Sequence, residues 1–298
     1  MNIHIFGASS ISGLEFRKLI QLSGYNFKIF SYSSKDKNYN FLDLRNFKSE
    51  NFQNKDETSI VVSFAPIWDF SIFLETVSKN KYDILSNVKG YIICSSSSSS
   101  TKRFAANLYD KNLSMKIKNS EKKIISLSTT LKKKCVIIQP TLIYGSHSIF
   151  KDKNISKIVQ LIRISPFVLV PNKSGFRQPI HIRQLAKVFI HFVKEITFEK
   201  TTFKKYNLKK ILVGGDEEIS YENMIKKIIG FLNKNNKFVF CKVITLPNRF
   251  FLFLFSPLIL FSPKLFDSIQ RLNSNLSGFT KAHQITKDEI ETFPIEPF

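Results

Sequence analysis

Acidic residues are scarce in this 298-residue chain: 23 Asp and Glu stand against 45 Lys and Arg, a formal net charge of +22. An excess of that size is compatible with an anionic partner, whether nucleic acid, membrane surface or phosphorylated small molecule. Arginine is scarce as well, with 8 Arg beside 37 Lys. Base and phosphate recognition favours the planar guanidinium fork. A lysine excess in a chain equally rich in Asn, Ile and Phe therefore reads as solvated surface, and no specific nucleic-acid partner is expected. Cysteine is nearly absent. Cys94, Cys135 and Cys241 lie far apart and form no CxxC, which excludes a disulfide framework and fits a reducing, cytoplasmic compartment. The five His form no HxxxH and have no Cys companions, so no metal site is expected.

Long apolar runs are missing too. The most extended, Phe250–Phe261 (FFLFLFSPLILF), has twelve residues, contains Pro257 and is flanked by Arg249 and Lys264. A helix needs about 20 apolar residues to cross a bilayer, and proline breaks or kinks one. Core or a lobe interface is the expected place for this run, with peripheral membrane contact through residues 250–261 as the alternative. The opening Asn2–Phe6 reads as a strand rather than a leader.

What is present is an alternation of strands and helices. Asn2–Phe6, Phe27–Tyr32, Ser59–Phe64, Tyr91–Cys94 and Cys135–Ile138 are short, nearly continuous apolar runs, as in strands covered on both faces. Amphipathic stretches at Leu14–Leu22, Trp68–Ser78 and Leu113–Leu131 separate them. This pattern predicts a doubly wound parallel α/β sheet. Residues 1–145 are expected to hold it, and 146–298 to form a smaller lobe from which about 176–215 return to the sheet. Helices are also expected over Asn154–Ile164, Gln184–Lys194 and Tyr221–Leu232, a loop over Ser165–Gly175, and an irregular tail from Ser262.

The first strand runs into Gly7-Ala-Ser-Ser-Ile-Ser-Gly13, with Ser9, Ser10 and Ile11 between the glycines. A strand-to-helix turn of small residues presents free backbone N–H groups at a positive helix end, the surroundings a pyrophosphate needs. The second strand ends in Tyr32-Ser33-Ser34-Lys35. An acid there reads the ribose hydroxyl of NAD; its absence leans the expectation toward NADP over NAD.

Together these residues resemble the extended short-chain dehydrogenase/reductases, the epimerases, dehydratases and reductases that act on sugar nucleotides with NAD or NADP on a Rossmann sheet. Asp43-Leu44 is similar to the family's pair beside the adenine, and Phe64-Ala65-Pro66 to its segment beside the cofactor. The serine run after Ile93 places Ser97 at the catalytic Ser/Thr. Pro140-Thr141-Leu-Ile-Tyr-Gly145 resembles the segment over the nicotinamide, with Gln139 in place of the usual Arg. Gly175–His181 resembles a later substrate-side segment. The resemblance implies a nucleotide-sugar or other phosphorylated substrate, and the serine and PTLIYG blocks look most like a branch met in polysaccharide synthesis. Asn154, Arg177 and His181 are the candidates to contact its phosphate or hydroxyls, Arg177 because its fork fits a diphosphate, with a structural histidine as the alternative for His181.

One departure stands out. The family's chemistry uses a Tyr as general acid/base and a Lys one helical turn later. Counted back from Glu121, which resembles the family's helix glutamate, those places fall on Leu113 and Ile117. Tyr206–Lys210 has the spacing but lies in a loop-like stretch. The expected function is an NAD(P)-binding epimerase or reductase with altered acid/base residues; the alternative is a cofactor-binding pseudoenzyme that acts as scaffold or sensor.

Overall fold

Short runs of Ile, Val and Phe build the sheet of the first of two compact units, which comprises residues 1–97, 115–140 and 182–212. The computed structural model describes residues 1–32, 40–48, 58–80, 85–103, 105–147, 150–234 and 239–296. Strands β1 (Asn2–Phe6), β2 (Asn26–Ser31), β3 (Asn40–Phe41), β4 (Ser59–Ser63), β5 (Val88–Cys94) and β6 (Lys134–Pro140) lie in the order β3-β2-β1-β4-β5-β6, followed by β13 (Lys209–Gly214). The pairings β3–β2, β2–β1, β1–β4, β4–β5 and β5–β6 are all parallel. All five residues of β4 are buried, as the unbroken apolar run requires of a strand covered on both faces. The chain winds from β1 to one side and then crosses to β4 on the other. The reversal point therefore lies between β1 and β4, where parallel α/β sheets bind ligands beyond their strand ends.

Helices α1 (Ile11–Leu22), α2 (Ile67–Lys79) and α6 (Ile182–Thr197) belong to this unit. Helix α6 carries the apolar stripe that packs on α1 and the sheet: Phe189 lies 6.1 Å from Phe16 and 4.5 Å from Phe64, between ring centres. Cys94, half-buried at the end of β5, and Cys135, buried in β6, have thiols pushed up to about 12 by their desolvated surroundings.

The second unit comprises residues 98–114, 141–181 and 213–298. Its core gathers Ile155, Val159 and Ile162 of α5 (Ile155–Ile164), Val168 and Val170 of β10 (Phe167–Pro171), and Met224, Ile225 and Ile228 of α7 (Tyr221–Lys234). Small strand pairs surround it. Strand β7 (Ile143–Tyr144) pairs with β12 (Ile180–His181) and β10 with β15 (Lys242–Leu246), both in parallel. Strand β8 (Ser146–His147) pairs with β9 (Phe150–Lys151) and β11 (Phe176–Arg177) with β14 (Ile219–Ser220), both antiparallel. Val213 and Gly214, the end of β13, pair in parallel with β16 (Thr280–Lys281), the eighth strand of the sheet. Helices α3 (Ser98–Thr101), α8 (Asn248–Phe255), α9 (Leu258–Phe261), α10 (Pro263–Gln270) and α11 (Ala282–Thr286) complete the unit, and α4 (Leu108–Thr130) begins in it.

The chain thus contributes to the two units in alternating segments, 182–212 among those of the first. Three differences from the expected elements have local causes. The expected loop over 165–175 contains β10, because Phe-Val-Leu-Val is a strand-forming run between Pro166 and Pro171. The expected irregular tail begins with α10, which Pro263 opens at a position that lacks an N–H partner in any helix. The apolar run 250–261 is not core: Phe251 is buried, whereas Phe253, Leu260 and Phe261 are 73%, 83% and 84% exposed.

Candidate functional site

The turn after β1 is held where glycine alone fits. Gly7 adopts φ +68°, and a Cβ there would stand 2.4 Å from the Ala65 backbone nitrogen, so the β1 turn and the β4 exit touch backbone to backbone. The Phe64 N–H donates to the Phe6 carbonyl at 2.8 Å and the Gly7 N–H to the Phe30 carbonyl at 3.2 Å, fixing the ends of three adjacent strands. Ser10 caps α1 by accepting from the Gly13 N–H at 3.1 Å. Gly13 keeps the first turn of α1 against Ala8, where a Cβ would come within 2.9 Å. Ile11 opens the helix.

Beside this turn lies a cleft of about 360 Å³, within the usual range for small-molecule sites. Of the residues expected at a cofactor, Gly7, Ser9, Ser10, Tyr32, Asp43, Leu44, Phe64, Ala65 and Pro66 line it. Ser33 lies outside the described residues. Pro140 and Thr141 do not line it: the Pro140 carbonyl accepts from the Ser97 N–H at 3.0 Å, and the Thr141 hydroxyl donates to the Gln178 carbonyl at 2.5 Å.

Two charged lining residues escaped the sequence reading. Arg45 sets its guanidinium 5.2 Å from the centre of the Tyr32 ring, with Nε 3.7 Å from Asp43. Asp69, in the first turn of α2, also faces the cleft. Burial raises the Asp43 carboxyl, but hydrogen bonds from Arg45 and Asn46 outweigh that and hold it below its ordinary value. Burial dominates at Asp69 and raises its pKa, against the opposing pull of Arg45 and Lys116. The one signal for Arg45 is its place directly after Asp43-Leu44.

A second cluster in the same unit fixes the phase of α4. Glu121 is fully buried; one carboxylate oxygen accepts from the Ser95 hydroxyl at 2.5 Å and the Gln139 amide at 2.6 Å, and the other lies 3.3 Å from Lys210 Nζ. Gln139 of β6 therefore meets Glu121 of α4. Leu113 and Ile117 stand two turns and one turn before Glu121, on the same helical stripe. Ile117 is buried and Leu113 half-buried. Tyr206 follows a 3₁₀ turn and Lys210 lies in β13, so that pair shares no helix. Helix α4 starts at Leu108, five residues earlier than expected, because the Asn107 side chain accepts from the Asp110 N–H at 2.8 Å. Ser97 is half-buried, just beyond the end of β5.

The expected substrate contacts lie in the second unit. Asn154 is exposed, and its N–H donates to Asp152 at 2.8 Å. Arg177 is buried, and its guanidinium donates to the backbone carbonyls of Phe176, Ser274 and Arg271 at 2.6–2.8 Å. It ties β11 to the segment after α10. Burial lowers its pKa to about 10; Tyr221 opposes that shift and Arg271 adds to it, both more weakly. His181 is buried edge-on to Tyr144 at 5.0 Å, and its Nε2 lies 3.8 Å from Glu296. These contacts give both side chains structural work.

No protein-family model matches the chain, and no curated protein sequence does. Many solved structures share its fold. A nucleoside-diphosphate-sugar epimerase from Staphylococcus aureus superposes with a TM-score of 0.62 at 14% identity, over 98% of each chain. An epimerase from Methanothermobacter thermautotrophicus gives 0.64 at 12% identity, over 99% of this chain and 89% of that one. A GDP-D-glycero-L-gluco-heptose synthase from Campylobacter jejuni, solved in the presence of NADPH, gives 0.59 at 15%, over 83% and 88%. The fold is thus one that these three enzymes share.

Proposed function

We propose that this chain binds a nicotinamide dinucleotide in the β1–β4 cleft and acts on a nucleotide sugar as an epimerase or reductase, in a pathway of polysaccharide synthesis. The observation that carries the reading is the cradle at Gly7: a backbone-to-backbone approach at the sheet's reversal point, beside a cleft lined by nine of the residues expected there. Such a cofactor fits the residues present. The α1 N-terminus with Ser9 and Ser10 receives the pyrophosphate, and Asp43 and Leu44 receive the adenine end. Arg45, stacked on Tyr32 with its fork at the cleft, is the partner for a ribose 2′-phosphate, so NADP is the favoured form. The bound nicotinamide supplies hydride chemistry. Leu113 and Ile117 carry no atom able to move a proton, so the altered acid/base site turns over slowly, with Ser97 at the catalytic Ser/Thr place that the resemblance implies.

Titration calorimetry with NADP and NAD tests the cofactor reading. The wild-type protein should prefer NADP, and Arg45→Ala should weaken NADP about tenfold, equivalent to about 1.4 kcal/mol, with NAD unchanged. Equal losses for both cofactors would remove Arg45 from the 2′-phosphate, and failure of either to bind would overturn the site.

A further inference from the structure

The second unit carries an apolar surface that its own core does not use. On α8, Phe251 is buried and meets Phe255 edge-on at 4.9 Å between ring centres. Phe250, Phe253 and Leu254 of the same helix are exposed, and the chain continues through Leu260 and Phe261 of α9 to Leu265 of α10, exposed as well. Apolar exposure this continuous marks an interaction surface rather than the scattered exposure every protein shows. Each helix is short, and no helix among the described residues is long and apolar enough to cross a membrane. Pro257 and Pro263 break the run into three pieces.

Charge decides what covers it. From Val239 to Phe266 the sequence contains no acidic residue, while Lys242, Arg249 and Lys264 are basic. Exposed Lys173 joins them, its N–H donating to the Asn248 side chain at the start of α8. Asp267, the first acid after the run, is buried and accepts from the N–H and the side-chain amide of Asn107 at 2.8 and 2.5 Å. That contact anchors α10 and leaves no exposed negative charge in the segment. A two-fold dimer through this face would set the patch against itself, pairing basic residues with basic residues in a chain of charge +22. An anionic bilayer offers the complement: phosphate charge for the Lys and Arg, and an acyl boundary for phenylalanine and leucine.

We propose that α8–α10 form an interfacial anchor that seats this protein on an anionic membrane surface. Co-sedimentation with vesicles tests it, using phosphatidylcholine alone and phosphatidylcholine with about 30% phosphatidylglycerol. The wild-type protein should bind the anionic vesicles at least about tenfold more tightly than the neutral ones. Phe253→Ser with Leu260→Ser and Phe261→Ser changes only exposed side chains, so its circular dichroism should match wild type while vesicle binding is lost. Lys173→Glu with Arg249→Glu should abolish the preference for phosphatidylglycerol. Wild-type protein that stays in the supernatant with both vesicles overturns the proposal, as does a triple serine variant that binds as wild type does. A dimer in light scattering that the triple variant converts to monomer, with vesicles ignored, would assign the face to a second copy instead.

Discussion

His4 occupies the middle of β1 at 1% exposure, edge-on to Phe30 at 5.5 Å between ring centres. Burial first, and then the charge of Lys28, lower its pKa from 6.5 to about 4. In the unfolded chain the same imidazole takes up a proton near pH 6.5. Its neutral, buried form therefore contributes full stability above about pH 6.5, and that contribution is lost as the pH falls toward 4, where the folded protein also protonates. Urea unfolding should show a loss of roughly 2 kcal/mol between pH 6.5 and pH 5. His4→Leu should flatten that slope, and a variant with the wild-type slope would place the titration elsewhere. Burial of His4 was legible in NIHIF, an apolar strand that contains it. Arg45 was not, because its approach to Tyr32 depends on how the chain after β3 folds back on β2. Two of the three backbone carbonyls that occupy Arg177 come from residues almost a hundred positions downstream, a distance no local motif spans.

At the scale of the element, α4 carries the two positions on which the proposed turnover depends. Glu121, held by Ser95, Gln139 and Lys210, fixes the phase of this helix, and on the proposed reading Leu113 and Ile117 stand where an acid/base pair would act. A correctly placed acid/base pair contributes roughly 10²–10⁴-fold to rate. Leu113→Tyr with Ile117→Lys should raise epimerase or reductase turnover on UDP- or GDP-sugars, and Leu113→Tyr alone should gain less, lacking the Lys that lowers its pKa. A double variant that binds NADP yet stays inert would leave the chain a cofactor-binding scaffold. Periodicity revealed this helix, as it revealed α1, α2 and α6, because each buries one stripe. The helix start was missed because a cap is a single side-chain bond, here from Asn107. Strand β10 and helix α10 were missed for a related reason: flanking prolines read as breaks, whereas here they mark edges.

Across the whole chain, the charge of +22 is carried by lysine far more than by arginine. Where acids stand nearby it is spent locally, as in Lys227 with Glu217 at 2.6 Å or Lys102 with the buried Asp110 at 2.9 Å. Duplex DNA should accordingly bind no more tightly than the roughly micromolar non-specific range at physiological salt, without preference among sequences. Discrimination between two duplexes in a competition assay would contradict this. Whether the apolar run 250–261 was core or surface could not be read from composition, since phenylalanine in a short run suits both; the fold decided it by burying Phe251 and leaving its neighbours outside.

The three native thiols have a practical consequence. Cys94 and Cys135 are held near 12, and burial raises Cys241 as well, so near neutral pH all three remain protonated and slow toward maleimides. The natural chain is therefore already a quiet background for site-directed labelling. A single cysteine introduced at an exposed position will take up a fluorophore or spin label selectively, with no need to replace the native ones.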